Sequence, residues 1–385
     1  MTRVINNKYF LFSLLLIYTA IGIYLSITTG ITSDESGEHR NWLENIIYIQ
    51  NLFTDGSYEK FLKYQDKYHG IGFHYISIPI QSLIYKFVAE LNEVSLWGAY
   101  LISKHSVVFL VFSLSGISFY LLSLRFIPNS LFAFISTSIY LLYPYFFGHS
   151  QFNIKDIPFL SFWIISSYFL LITIEDLFYE RKISYRNILL LSFFTGFLIS
   201  IRILGLIIFV QYLISLIVLF NMKKIDFFEF IKKNFKVLIV FTLSILLLIY
   251  LLNPVFWQNP YQLILSLKWM SKYFNNICTL TLGDCMSSLS LPSSYYFIWL
   301  FFKLPILILF GLALFPFVEK KVFEQNCVSL GKISASYVRV ESPRKNFEHL
   351  QKNSKSTLSG FWGIMEILDI RFKMDGTYNI SQTHF

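Results

Sequence analysis

The sequence predicts an all-α membrane protein that crosses the bilayer several times. Hydrophobic residues make up 55% of the 385 residues and charged residues only 14%, whereas soluble domains carry about 25% charged residues. The hydrophobic residues also stand in unbroken runs that can cross about 30 Å of hydrocarbon. A transmembrane β-barrel would instead show short segments of alternating polarity. These observations exclude an ordinary water-soluble domain.

The lysines and arginines are distributed as in cytoplasmic loops. The net charge is +9, and a basic protein can be attracted to nucleic acid. Many of the basic residues, however, lie in short runs between apolar stretches, at 181–186, 223–224, 232–236 and 320–321. Loops that stay in the cytoplasm keep such positive charge. We therefore expect no nucleic-acid partner.

Eight apolar segments are expected to span the membrane and to leave both termini inside. The first is long and has a poor cleavage site, which favours an uncleaved helix over a secretory signal. A single helix over residues 188–220 would be about 50 Å long, so the chain is expected to turn near Arg202, where an arginine is costly unless it faces water or an anion. The predicted spans are residues 9–29, 104–124, 131–147, 159–174, 188–201, 203–220, 237–252 and 295–318.

Two further helices are expected along the membrane surface, within a long first outer loop. Residues 71–91 are apolar but interrupted, and a ninth crossing would move the later basic loops outside. The interrupting residues are His74, Pro79, Gln81 and Lys86. Residues 38–53 show the helical spacing of an amphipathic helix. Its apolar face comprises Trp42, Ile46, Ile49 and Phe53. Both segments are therefore predicted to lie in the interface.

The unusual polar residues collect on the outer side of this topology. The inner loops hold mostly lysine, arginine and scattered acids, which orientation alone requires. The outer loops hold Asp34, Glu35, His39, Arg40, His69, His74, His149, Asn153, Lys155, Asp156, Arg202 and Trp257. The asymmetry predicts a site at the outer membrane surface that contains carboxylates, cations and aromatic rings.

Such a mixture suits the transfer of a sugar from a lipid-linked phosphate. Lys155 and Arg202 could hold the phosphate, the arginine through two parallel hydrogen bonds and the lysine as a point charge. Asp34 could remove the proton of an incoming hydroxyl or amine as a general base. A single displacement would invert the anomeric carbon, whereas a hydrolase more often places two carboxylates on either side of the bond.

The ordered motifs resemble the GT-C glycosyltransferases, and among them the protein O-mannosyltransferase-like family 39, which includes bacterial aminoarabinose transferases of lipid A. The likeness rests on Asp34-Glu35 shortly after the first helix and on the stretches FGHSQFNIKDIPF (147–159) and SIRILGL (200–206). Asn253-Pro254 with Trp257 and LPSSYY (291–296) match less specifically. The resemblance covers about residues 9–318.

The resemblance implies a GT-C-like bundle that uses a polyprenyl-phosphate sugar donor and an acceptor outside the cytoplasm, which could be a lipid, a polysaccharide or a protein. It carries the catalytic aspartate onto Asp34, with Glu35 as its partner, and the donor phosphate onto Lys155 and Arg202. No cofactor is expected, and metal dependence stays open. We expect a multi-pass protein of the bacterial inner (plasma) membrane with its active site on the outer face. Further substrate-binding candidates are His39, His74, His149, Asn153, Trp257 and Tyr295.

Several alternatives stay open at this point. Asp156 could cap the following helix, Lys155 could extend from the interface into water, and Arg202 could form a structural salt bridge. The histidines could pack or bind substrate rather than a metal, because their spacing matches no ligand motif. The whole chain could instead be a transporter or flippase of a lipid-linked anion, or a non-catalytic, truncated family member.

The remaining expectations concern the division of the chain into domains and the state of two cysteines. Residues 1–318 are expected to form the transmembrane core, and residues 319–385 a polar cytoplasmic tail, which a truncation or frame shift could explain. Cys278 and Cys285 form either a disulfide or two free thiols.

Overall fold

The computed structural model describes residues 8–314, except residues 55, 57–58, 127–128, 180, 182, 272–277, 282, 305 and 307. The predicted tail, residues 319–385, lies outside the described residues. The chain divides into two compact units, one of residues up to Met270 and one that begins at Ser271. This division falls within the segment that the sequence assigns to a single core.

The described part of the first unit is helical, with two short 3-10 turns. Its α-helices are α1 (Lys8–Ile27), α2 (Ser33–Thr54), α3 (Glu59–Lys63), α4 (Gly72–Asn92), α5 (Leu96–Phe126), α6 (Ser130–Leu142), α7 (Pro144–Ser150), α8 (Asp156–Phe178), α9 (Tyr185–Ile201), α10 (Ile208–Lys223), α11 (Phe227–Leu252) and α12 (Gln262–Met270). The 3-10 turns are Ile203–Ile207 and Pro254–Phe256.

Local side-chain chemistry fixes several of the helix ends. Asn129 caps α6, because its side chain accepts a hydrogen bond from the Leu131 N–H at 2.9 Å. Asp226 caps α11 in the same way, accepting from the Glu229 N–H at 2.9 Å. Lys224 closes α10 in the left-handed conformation. These caps separate consecutive apolar helices by only a few residues.

In the part of the chain that the structure describes, five helices are long and apolar enough to cross a membrane, and up to seven crossings result if each of two bent helix pairs counts as one. The five are α1, α5, α8, α10 with its preceding 3-10 turn, and α11; one bent pair is α6 with α7, which meet at 56°. Helix α9 is apolar but has 17 residues. The predicted helical architecture with several apolar helices that could span a membrane is confirmed, and the count of eight crossings stays a prediction.

Helix α5 is the centre of the first unit. It packs against α1, α4, α6 and α8. The Phe109 ring of α5 occupies the space beside Gly22 of α1, where a Cβ would lie 1.9 Å from the ring. Among the largest fully buried side chains of the unit are two charged or titratable residues of this helix, Lys104 and His105. An otherwise apolar helix therefore places two ionisable side chains, Lys104 and His105, inside the helix bundle.

The loop before α4 and the first residue of α4 pack closely against the end of α9. A Cβ on Gly70 would lie 2.3 Å from the Ser200 carbonyl oxygen, and a Cβ on Gly72 would lie 2.0 Å from the Ser200 hydroxyl. Only glycine permits so close an approach of the two backbones. This contact brings the loop beside Arg202, the residue that follows α9.

The two helices predicted at the interface are present, but their polar residues have structural contacts. The buried side chains of α2 are largely polar, namely Glu35, His39, Asn41, Asn45 and Tyr48. Phe53, expected on the apolar face, is 79% exposed. In α4, Gln81 donates to the Tyr100 carbonyl of α5 at 2.9 Å, and His74 is buried against α5. Two of the polar residues that interrupt the apolar pattern, His74 and Gln81, therefore contact α5.

The second unit contains an antiparallel hairpin and a helix. Strands β1 (Cys278–Thr281) and β2 (Asp284–Ser287) pair with Cys278 opposite Ser287, and Gly283 provides the left-handed turn between them. A disulfide joins Cys278 to Cys285, which decides between the two predicted alternatives for these cysteines. Helix α13 (Tyr295–Lys303) follows.

Candidate functional site

Two ion pairs meet where α8 begins. Lys155 Nζ donates to Glu38 Oε1 of α2 at 2.5 Å. Arg202 Nη2 lies 2.7 Å from Asp156 Oδ1. Because Lys155 and Asp156 are consecutive residues, the two predicted phosphate-binding cations lie in one region of the molecule.

Asn153 organises the turn that presents these residues. Its side-chain oxygen accepts hydrogen bonds from the backbone N–H groups of Lys155 at 3.2 Å and of Asp156 at 2.8 Å. Its amide nitrogen lies 3.1 Å from Asp156 Oδ2 and 3.3 Å from His149 Nδ1. Asp156 is the first residue of α8 and makes no side-chain cap bond at this end; its carboxylate contacts Asn153 and Arg202 instead.

His69 completes the cluster from the loop before α4. Its Nδ1 lies 3.4 Å from Lys155 Nζ and 3.7 Å from Glu38 Oε1, and its Nε2 lies 3.8 Å from Asp66 Oδ1. The loop is anchored by Tyr68, whose hydroxyl donates to Gln262 of α12 at 2.6 Å. The imidazole therefore lies between two carboxylates and beside an ammonium group.

The electrostatics of Glu38 favour its ionised form. Burial alone would raise the pKa of this carboxyl, but the Lys155 ammonium and the hydrogen bonds of His69 and Lys155 outweigh it, and the pKa is lowered. Glu38 is consequently a charged partner of Lys155 at neutral pH. A carboxylate of low pKa is a weak base, so its contribution here is to hold the lysine.

The adjacent acids Asp34 and Glu35 have different environments. Asp34 is exposed, accepts from the Ser33 hydroxyl at 3.3 Å, and forms no ion pair with any described residue. Glu35 is 2% exposed; its Oε1 accepts from the Thr32 N–H at 2.7 Å and the Thr32 hydroxyl at 2.8 Å, as in a capping box. Glu35 Oε2 lies 3.0 Å from His105 Nε2. Asp34 is available to a ligand, and Glu35 anchors the start of α2.

The pKa of Glu35 reflects that anchoring. Burial alone would raise the pKa of the Glu35 carboxyl, but the His105 imidazole and the two bonds from Thr32 outweigh it and lower the pKa. The buried carboxylate is therefore charged.

A buried basic pair lies next to this acid. Lys104 Nζ is 2.8 Å from His74 Nδ1, and the His74 ring stacks on Trp42 at a centroid distance of 5.7 Å. Burial and then the Lys104 charge hold the pKa of His74 well below its usual range. The same two causes lower the pKa of His39 to about 4. Both histidines are neutral at physiological pH.

The other two predicted substrate-binding residues, Trp257 and Tyr295, make structural contacts with residues outside this cluster. Trp257 Nε1 donates to the Tyr250 carbonyl at 2.7 Å, which closes the end of α11. Tyr295 belongs to the second unit, where its ring contacts those of Tyr296 and Trp299. The structure thus brings together Lys155, Arg202, Asn153 and His149, and it buries His39 and His74 nearby.

Sequence reasoning missed four members of this region: Glu38, Asp66, Lys104 and His105. Glu38 follows Asp34 by four residues, which places both on one side of a helix. Lys104-His105 stands inside an apolar stretch, where an ionisable pair is a strong functional signal. Both signals were available in the sequence.

Within the described residues, no group of three or more histidine, cysteine, aspartate or glutamate side chains is arranged to hold a metal ion. Comparisons with known protein families, with curated proteins and with solved structures find no match to this chain.

Proposed function

We propose that this chain is a membrane glycosyltransferase that moves a sugar from a polyprenyl-phosphate donor to an acceptor outside the cytoplasm. The observation that carries the proposal is the convergence of Lys155 and Arg202 at the start of α8. On this proposal the helices form a GT-C-like bundle of about eight crossings in a bacterial inner membrane, with the site on the outer face.

The Arg202 guanidinium has a hydrogen-bond donor that could bind a phosphate oxygen. Its Nε–H is buried and has no hydrogen-bond partner among the described residues, while its side chain is 38% exposed and that of its partner Asp156 57% exposed. A buried unpaired donor costs stability unless a ligand satisfies it. A phosphate oxygen would do so and would form a charge-assisted bond with the guanidinium.

Lys155 is the second phosphate contact in this proposal. It is held by Glu38 with both side chains 15% exposed, so its ammonium has a defined position. Donor binding would place the phosphate between the ammonium and the guanidinium. Fixed cations of this kind stabilise the negative charge that develops on a leaving phosphate.

The proposed reaction is a single displacement. The oxygen or nitrogen of the acceptor bonds to the anomeric carbon while the bond from that carbon to the phosphate oxygen breaks. The polyprenyl phosphate leaves with the electron pair, and the acceptor proton passes to Asp34. The sugar changes its anomeric configuration. Glu35 supports the reaction by fixing the turn that carries Asp34.

A transporter or flippase of a lipid-linked anion is the second candidate, and two observations favour it. Lys104 and His105 are buried inside the bundle, as expected of ionisable residues along an intramembrane pathway. The bend between α6 and α7 interrupts an apolar segment, and broken helices are frequent at transporter sites.

The test uses the purified full chain in lipid vesicles with a labelled polyprenyl-phosphate sugar and a set of lipid and peptide acceptors. We expect Asp34→Asn to abolish transfer with unchanged helix content, whereas Glu90→Gln, which removes an exposed carboxylate at the far end of α4, keeps it. Full transfer by Asp34→Asn would contradict the proposal. Movement of the intact donor between leaflets without sugar transfer would support the transporter instead.

A further inference from the structure

A basic cavity of about 290 Å³ lies where α8 and α10 end and α11 begins. Its charged lining residues are the cations Arg181, Lys223, Lys224 and Lys233 and the carboxylates Asp226 and Glu229. Four cations against two carboxylates leave a formal excess of two positive charges. The cavity therefore favours an anion.

The cations of the cavity are not neutralised by direct pairing. None of the four forms an ion pair with a carboxylate of the described residues. Asp226 is engaged in capping α11, where its side chain accepts from the Glu229 N–H. Arg181 is close enough to Glu175 and Asp176 for the opposite charges to attract, and the three lysines give the lining its excess of positive charge over Asp226 and Glu229.

The same cavity has an apolar side. Leu177 and Phe230 line it together with the cations, and Lys223 Nζ lies 4.4 Å from the centroid of the Phe178 ring. Helices α8 and α11, and α10 together with its preceding 3-10 turn, have the length and hydropathy of membrane spans. A ligand with an anionic head and an apolar tail would match both surfaces, and basic pockets between transmembrane helices bind anionic lipid head groups.

We propose that this cavity binds the phosphate head group of an anionic phospholipid. It is separate from the proposed donor site, because Asp156 begins α8 and Phe178 ends it, and a helix of that length extends about 34 Å. That distance matches the thickness of a bilayer. The proposal therefore stands whether or not the chain transfers sugars.

The binding experiment uses the full chain in nanodiscs of phosphatidylcholine with increasing phosphatidylglycerol, and native mass spectrometry measures the retained lipid. We expect saturable retention of phosphatidylglycerol by the wild type. Each cavity lysine contributes about fivefold to such binding, so Lys224→Gln with Lys233→Gln should weaken it roughly thirtyfold. The matched control is Lys232→Gln with Lys236→Gln, which removes the same charge from exposed positions outside the cavity and should change retention by no more than about twofold.

A further variant separates binding from folding. Lys224 adopts the left-handed conformation, with φ 52° and ψ 40°, at the end of α10, where glycine is the usual residue. Lys224→Gly should therefore leave the unfolding midpoint unchanged or raise it while it lowers lipid retention. Equal loss of lipid in the cavity and control double variants would overturn the proposal, as would equal retention of phosphatidylcholine. Displacement of the lipid by inorganic phosphate at equal concentration would show a site for free phosphate and would also overturn it.

Discussion

Lys155 and Glu38 form an ion pair at 2.5 Å although 117 residues separate them in the chain. The pair ties α2 to the start of α8, next to the Arg202–Asp156 pair. Each cation that we assign to the donor phosphate is thus already positioned by a carboxylate. The free protein holds the two cations in place by means of two acids.

We expect Glu38→Gln to weaken donor binding more than the rate of transfer. The substitution removes the charge that positions Lys155 and leaves a largely buried ammonium, at a cost of about 1–3 kcal/mol in the free energy of unfolding. The proposed transferase should show a raised KM for the donor with kcat nearly unchanged. A double-mutant cycle with Lys155→Met measures the coupling of the pair, and additive effects would show that the two residues do not interact.

The neighbours Asp34 and Glu35 should differ sharply in their effect on stability. Glu35→Ala leaves His105 Nε2 without its partner and removes the two bonds from Thr32, so it should lower the free energy of unfolding by about 1–3 kcal/mol. Asp34→Ala is a surface substitution and should change it by no more than about 0.5 kcal/mol. Unfolding in detergent mixtures, followed by circular dichroism, measures both. Similar values for the two variants would contradict the burial of Glu35.

Acid should destabilise the first unit over two ranges of pH. The pKa of His39 is lowered to about 4 by burial and by Lys104, so between about pH 6.5 and 4 the unfolded state binds more protons than the folded state. Stability is therefore lost as the pH falls through this range, with a slope of up to about 1.4 kcal/mol per pH unit. His39→Gln should flatten this part of the profile.

The carboxylates Glu35 and Glu38 affect the stability of the fold at lower pH than His39 does. Their pKa values are lowered in the folded state, so their contribution is complete above the unfolded value of about 4.3 and is lost as the pH falls below it. Glu38→Gln should reduce the loss of stability below about pH 4.3 and leave the loss between about pH 6.5 and 4 unchanged. Unfolding midpoints measured from pH 7 to 3 distinguish the two ranges.

The close contact between the first residue of α4, Gly72, and the end of α9 should tolerate no side chain. Gly72→Ala would place a Cβ 2.0 Å from the Ser200 hydroxyl, and such overpacking costs about 1–3 kcal/mol. Because Arg202 follows this helix, donor binding should also fall. Gly37→Ala is the matched control, since nothing lies within 4 Å of its Cβ position; in a helix this change should stabilise by about 0.5–1 kcal/mol. Equal effects of the two substitutions would contradict the contact.

The sequence predicted the helices well because hydropathy and chain length act locally. The span expected at 159–174 lies within α8, and the division of residues 188–220 near Arg202 coincides with the end of α9. The break was predictable because one helix of that length would exceed the thickness of a bilayer. Such constraints depend on neighbouring residues alone, so they can be recognised without knowledge of the packing.

The partners of the charged residues could not be predicted in the same way. Lys155, Arg202 and Asn153 were identified as site residues, but their contacts depend on how distant helices pack. Lys104 was overlooked because a hydropathy window averages one charge over many apolar neighbours. Its contact with His74 became visible only from the packing of α4 on α5.

The bond between Cys278 and Cys285 offers a chemical marker of sidedness. Disulfides persist where thiols are not kept reduced by the cytosol, so the hairpin between Met270 and Tyr295 should face the periplasm or an equivalent compartment. A membrane-impermeant reductant followed by a thiol label, applied to intact cells, would then modify both cysteines. This covalent link therefore provides a reporter of the side of the membrane on which the hairpin lies.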